Sequence, residues 1–190
     1  MDITLERLKK ITKELKKYIY SKRINIDKYL VKKGNYKNIE EVEKAETKWQ
    51  EFNRGDFWGG IDSHFWFRTK VEIPEDFAGR KVGLCFYTGE PKPLSVDNDG
   101  WDVYNPQFIL YVDKMLIQGL DINHREVSIT DKAHAGQEYQ IDLHAYSSGK
   151  EKITSELFGE LVVIDESVRK LYYNIQVPIW VTENLQQDDK

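Results

Sequence analysis

The segment Gly119 to Glu126, GLDINHRE, sets an aspartate, an asparagine, a histidine, an arginine and a glutamate inside six residues. Such a cluster can move protons, hydrogen-bond the hydroxyls of a sugar, or hold a turn. Gly119, Asp121, Asn123 and His124 are its candidates for a shaped recognition loop. Two D-x-H pairs, Asp62/His64 and Asp142/His144, form a second grouping. Residues two apart on a strand share a face, so each pair could offer two metal ligands; a plain alternating polar face gives the same pattern. In HFWFR, Trp66 lies between His64 and Arg68 on one strand face. Those three types make a sugar platform, an aromatic surface for the ring and polar groups for its hydroxyls, unless Trp66 fills a second layer of packing. The acidic run SVDNDGWD places Asp97 and Asp99 at the third and fifth positions of a calcium loop whose sixth is Gly100. Its twelfth is Pro106 where a bidentate glutamate is required, so the EF-hand reading fails and an acidic turn of Asp97, Asp99 and Asp102 remains.

Other chemistries find no footing in the order of residues. Neither a Gly-rich phosphate loop, nor a GxSxG elbow, nor HExxH occurs. Cys85 is the single cysteine, which rules out an internal disulfide, and its mid-strand place in VGLCFY reads as a buried, inert thiol. Glycoside hydrolysis needs two carboxylates opposed across the substrate. The acidic residues are scattered through turns, and no spacing picks out such a pair.

These groups must be positioned by 190 residues, enough for one full core with an extension. Five tryptophans, eleven tyrosines and a 40% hydrophobic content supply that core. No apolar run is long enough to span a bilayer, and the N-terminus lacks a signal-peptide apolar region, so a cytoplasmic location away from membranes is expected. Residues 1–48 hold 14 Lys and Arg against 8 Asp and Glu. That basic balance is diluted by glutamates and lacks Arg–aromatic interleaving, so a solvated helix face is expected, not nucleic-acid binding.

Leu5, Leu8, Ile11, Leu15 and Ile19 recur at helical spacing, and Asn38 with Glu41 resembles a capping box for a second helix through about Trp49. From residue 56 the period changes to two. HFWFRTKVEIP, RKVGLCFYTG, QFILYV, EYQIDLHAYS, ELVVID and KLYYNIQVPIWV read as strands, and Asp113-Lys114 as a tight type I′ hairpin turn. The division expected is a helical N-terminal arm over 1–52, a mainly-β antiparallel jelly-roll sandwich over 53–182, and the start of a linker over 183–190.

Gly55-Asp56-Phe57-Trp58-Gly59-Gly60, His64-Phe65-Trp66-Phe67-Arg68, Ile73-Pro74, Asn105-Pro106-Gln107, Tyr111-Val112-Asp113 and Gln118 through Glu126 together resemble the N-terminal domain of bacterial and fungal α-mannosidases of glycoside hydrolase family 38. Lys114 departs from the glycine usual in that family's hairpin. The resemblance implies a galactose-binding-domain-like sandwich at the front of a retaining, zinc-dependent enzyme that trims α-mannosides from glycans. It also implies that nucleophile and zinc belong to a following catalytic domain, whose opening His-x-Asp motif is absent here. His64, His124, His134 and His144 are followed two places on by Trp66, Glu126, Gly136 and Tyr146. No catalytic residue, metal ligand or cofactor is therefore expected in this segment. Docking on the catalytic domain is the favoured role; an autonomous carbohydrate-binding module and a homo-oligomer joined through the N-terminal helix are the alternatives.

Overall fold

The computed structural model describes residues 3–88, 107–121, 124–147 and 154–188. In chain order the elements are α1 (Ile3–Lys16), β1 (Tyr20–Ile26), β2 (Lys28–Lys33), α2 (Ile39–Lys44), β3 (Gln50–Asn53), β4 (Trp58–Gly59) and β5 (Ser63–Glu72). A single 3-10 turn, Glu75–Phe77, leads to β6 (Val82–Thr88), β7 (Gln107–Val112), β8 (Met115–Leu120), β9 (Glu126–Thr130) and β10 (Glu138–Ser147). β11 (Thr154–Ser155), β12 (Leu157–Ile164) and α3 (Glu166–Asp188) complete the chain. The order β3-β2-β5-β10-β7-β8 forms a six-stranded sheet, β1-β12-β6-β9 a four-stranded one, and β11-β4 a short pair. The fold is mainly β, a jelly-roll sandwich preceded by a helix.

Two compact units divide the chain: residues 24–161, and residues 1–23 with 162–190. In the larger one, alternation in β5 sends Phe65, Phe67, Thr69 and Val71 toward the core. Phe67 is fully buried, its ring 5.0 Å from Phe52 and 5.3 Å from Trp58. Leu84 and Phe86 of β6, and Leu157 and Leu161 of β12, bury their side chains as well. Each large apolar side chain so enclosed contributes about 1.5–3 kcal/mol. In the smaller unit α1 packs on α3, with Thr12 and Ile179 buried and Lys9 Nζ 2.7 Å from Glu183.

The other face of the six-stranded sheet is not all open. Residues 36–49 lie across it: Ile39 and Val42 of α2 are buried against Trp66, with Tyr36, Trp49 and Tyr111 around them. Asn38 caps α2 by accepting from the Glu41 backbone amide at 2.9 Å, as the capping-box spacing predicts. At the other end Lys32, itself buried, donates to the carbonyls of Val42 (2.9 Å) and Ala45 (3.4 Å). Those are carbonyls that a helix leaves without an internal partner.

Two sequence expectations are corrected. Residues 1–52 are not a wholly helical arm, since β1, β2 and β3 lie within them and α2 ends at Lys44, short of Trp49. KLYYNIQVPIWV is not a strand; it lies inside α3. The helix is started by Asp165, whose carboxylate accepts from the amides of Ser167 and Val168 at 3.0 Å each. It carries Pro178 in its interior. The hairpin expectation holds: Asp113 and Lys114 both have positive φ, 49° and 68°.

Candidate functional site

Register on the uncovered part of the outer face decides which polar groups meet. β10 pairs with β5 so that Asp142 stands opposite Arg68, His144 opposite Trp66 and Tyr146 opposite His64. On its other side β10 sets His144 beside Ile109 of β7, and β7 sets Ile109 beside Gly119 of β8. The result is a row of side chains from Trp66 across His144 and Ile109 to Gly119, flanked by His64 and Tyr146.

The two D-x-H pairs converge through their histidines and diverge through their aspartates. His64 Nδ1 and His144 Nε2 are 3.1 Å apart, a hydrogen bond in which one imidazole donates and the other accepts. Burial pushes His144 down to about 4, and the neighbouring His64 adds to that effect. Asp142 is fully buried and accepts from Arg68 Nε at 2.6 Å and from Gln140 Nε2 at 2.8 Å. Asp62 instead accepts from the Tyr146 hydroxyl at 3.1 Å, which raises the pKa of that phenol. Among the described residues no group of three or more His, Cys, Asp and Glu side chains is placed to hold a metal ion.

Of the expected sugar platform, only His64 reaches the open cleft. Trp66 has no exposed surface: residues 36–49 cover one side of it and His144 stacks on its ring. It offers no face to a ligand in this chain. Arg68 is drawn into the same cover, its guanidinium 4.7 Å from the Trp49 ring centre and its Nη2 2.8 Å from Glu43 Oε1. That second contact is an ion pair, its alignment being poor for a hydrogen bond. Arg68 holds the Glu43 carboxyl below the usual carboxylate range.

Within GLDINHRE, Leu120 ends β8 of one sheet and Glu126 opens β9 of the other. Asp121 follows β8, accepting at Oδ1 from the His124 amide (2.8 Å) and lying 3.1 Å from His124 Nδ1. The His124 side chain is 73% exposed. Asn123 lies outside the described residues. Gly119 does not lie in the loop expected of it. It pairs within β8, and a Cβ there would meet only the Phe108 carbonyl oxygen, at 3.8 Å. What its missing side chain leaves is space.

That space is an open cleft of about 400 Å³ lined by His64, His144, Tyr146, Ile109, Gly119 and Asp121 among others. The fold therefore brings His64 of one expected set together with Gly119 and Asp121 of the other. Sequence reasoning missed Tyr146 and Ile109; an available signal was that Tyr146 stands two residues from His144 on one strand face. A larger cavity, about 630 Å³, borders β1, β2 and β5. Its lining mixes aliphatic residues with both charges, Asp27 and Glu72 beside Lys28 and Lys70, and of the expected site residues it touches Arg68 alone.

Residues 23–160 match the family described as "Alpha-mannosidase, jelly roll domain". The chain belongs to that family. The jelly-roll domain also matches solved structures of β-glucuronidase from Ruminococcus gnavus. One of these, bound to D-glucuronic acid, has a TM-score of 0.50 at 12% identity, and another a TM-score of 0.51 at 12% identity. The match covers 76% of this chain but only 30% and 29% of those enzymes, a likeness of fold alone. No curated protein matches the jelly-roll domain by sequence. Among its described residues no helix is long and apolar enough to cross a membrane.

Proposed function

We propose that this jelly-roll domain is the non-catalytic accessory part of an α-mannosidase, packing on and supporting a catalytic domain of the same polypeptide. On this reading the nucleophile and the zinc sit in that catalytic domain, the substrate is an α-mannoside of a glycan, and the enzyme works in the cytoplasm.

The observation that carries the reading is the state of β8. Among the described residues it is one of the two edge strands of the six-stranded sheet, and it exposes Met115, Leu116 and Ile117 at 66%, 63% and 41%. Edge strands of free-standing domains are protected by charges or proline, whereas MLIQGL contains neither. Apolar side chains exposed on both faces of an edge strand suit burial against another folded surface. Asp121, hydrogen-bonded to the exposed His124, adjoins that edge. The internal polar groups add support from the other side: Arg68 is held by Asp142 and Glu43 in a structural cluster, and among the described residues Asp121 is the one carboxylate lining the cleft.

The test is made in the complete enzyme. Leu116→Glu, Asp121→Ala and His124→Ala should leave the jelly-roll domain folded by circular dichroism, while lowering mannosidase activity and the enzyme's melting temperature. Activity and melting temperature both unchanged in all three variants would refute docking through this edge.

A further inference from the structure

We propose that the cleft between His64, His144, Tyr146, Ile109 and Gly119 is a binding subsite for one neutral hexose residue of a glycan. This deepens the accessory reading above and rests on it for the identity of the sugar, but the argument for a site stands on the cleft itself.

The first element is shape. The strand pairing sets Gly119 directly across from Ile109, so one position in a continuous row of side chains is vacant. Space of about 400 Å³ at that point accommodates a single pyranose ring, at the small end of ligand pockets. The second is the kind of surface exposed. Tyr146 and His64 lie with ring centroids 4.8 Å apart and planes tilted by 34°, forming an aromatic wall, and Ile109 adds an aliphatic floor that is 40% exposed. A pyranose has one face of C–H groups, which such a wall desolvates well.

Polarity is the third element. His64, His144 and Asp121 are polar residues lining the cleft, and Asp62 stands behind the Tyr146 hydroxyl. Carboxylates accept from hydroxyls, and a neutral imidazole can donate or accept. None of the lining residues is Lys or Arg. His144 is neutral at physiological pH, since burial holds it down to about 4. One lining aspartate, a second behind Tyr146 and no lining Lys or Arg disfavour a phosphate or a uronate and leave a hydroxyl-rich, uncharged ligand.

The site is pre-formed and not assembled on binding. His144 is fixed from below by stacking on buried Trp66, and Tyr146 is fixed by Asp62. Binding should therefore cost little ordering of side chains. Shallow, open sites of this size bind single sugars weakly.

The experiment is an amide NMR titration of the 190-residue chain with methyl α-mannoside, and in parallel with glucuronate. The expected result is saturable shifts at His64, Ile109, Gly119 and Tyr146 with a Kd on the order of 1 mM for the mannoside, and at least roughly tenfold weaker binding of glucuronate. Gly119→Leu, which fills the vacancy, and Tyr146→Ala, which removes the wall, should each weaken the mannoside by roughly tenfold or more while amide spectra elsewhere stay unchanged. If Gly119→Leu fails to fold, Tyr146→Ala carries the test. No saturable shift with mannoside, shifts confined to another surface, or equal binding of glucuronate would overturn the proposal. Those outcomes leave the docking reading intact, since that falls only with the activity and melting temperature of the edge-strand variants. Mannoside binding in this cleft together with failed docking would instead mark a free-standing sugar-binding domain.

Discussion

The ring of His144 lies flat on that of Trp66, centroids 4.7 Å apart and planes 5° from parallel, and its Nε2 meets His64. Burial against Trp66 makes the charged imidazolium costly, so the folded protein keeps His144 neutral down to about pH 4, below its ordinary 6.5. Between those two values the unfolded chain binds a proton that the folded chain refuses. Stability is thus fully present above about pH 6.5 and is lost as pH falls toward 4. The side chain is only half-buried, so solvent screening limits the effect to about 1–2 kcal/mol. Urea unfolding near pH 5 should show a lower midpoint than near pH 7.5, and His144→Gln should remove that increment of the difference. Equal midpoints for the parent chain would contradict this account of the histidine pair.

Arg68 has two carboxylate partners in different settings. Asp142 is fully buried, whereas the Glu43 side chain is 37% exposed. Removing the buried partner by Asp142→Ala leaves a largely buried guanidinium with only the partly exposed Glu43 and should cost about 3 kcal/mol. Glu43→Gln should cost less than about 1 kcal/mol, because water compensates an exposed ion pair. Denaturant midpoints of the two variants decide the matter. Similar losses for both would mean that the sheet-covering segment, and not the buried pair, dominates.

Much of the sandwich was legible because its central strands alternate cleanly. HFWFRTKVEIP became β5, EYQIDLHAYS became β10, and Asp113-Lys114 became the hairpin turn. β1 and β2 were not legible. YSKRINI and KYLVKK carry five basic residues that break the alternation, and one of these, Lys32, is buried by capping α2 and not by pairing with a carboxylate. α3 was misread because Tyr172, Tyr173, Ile175, Val177, Ile179 and Val181 are β-formers, although Asp165 ahead of Glu166-Ser167-Val168 was a helix-start signal. Alternation placed Trp66 on the outer face correctly. It could not show that residues 36–49 fold over that face, since the contact joins segments with no shared periodicity. The candidate cleft was half legible for the same reason: His64 and Gly119 lie 55 positions apart in sequence and meet only through the register of β10 and β7.

Lys114 sits at φ 68° in the β7–β8 turn, where an L side chain costs on the order of 1 kcal/mol. Its ammonium is 3.8 Å from Glu43 with both groups well exposed, a contact of little value. Lys114→Gly should therefore stabilise the domain by no more than about 0.5 kcal/mol, after the greater flexibility of glycine in the unfolded chain is set against the relieved strain. Asp113 should not be exchanged in the same experiment, since its carboxylate accepts from the Gln140 amide at 2.9 Å. A fall in the denaturation midpoint on Lys114→Gly would show that the turn is not strained at this residue.

At Gly159 of β12, Tyr29 of the six-stranded sheet and Phe86 of the neighbouring β6 crowd the backbone. A Cβ at this position would collide with the Tyr29 hydroxyl and lie 2.9 Å from Phe86 Cε1. Tyr29 and Phe86 are both buried, so neither ring has room to retreat. Gly159→Ala should cost about 1–3 kcal/mol as an overpacking substitution. The Tyr29 hydroxyl is buried with no hydrogen-bond partner, and burial raises its pKa far above the ordinary phenol value. Tyr29→Phe alone should thus be neutral or mildly stabilising, because it removes an unsatisfied polar group. The double variant Gly159→Ala with Tyr29→Phe should recover part of the single-variant loss, since the atom nearest the new methyl is gone. A double-mutant cycle by urea unfolding measures that coupling. Strict additivity would place the obstruction at Phe86 and not at the tyrosine.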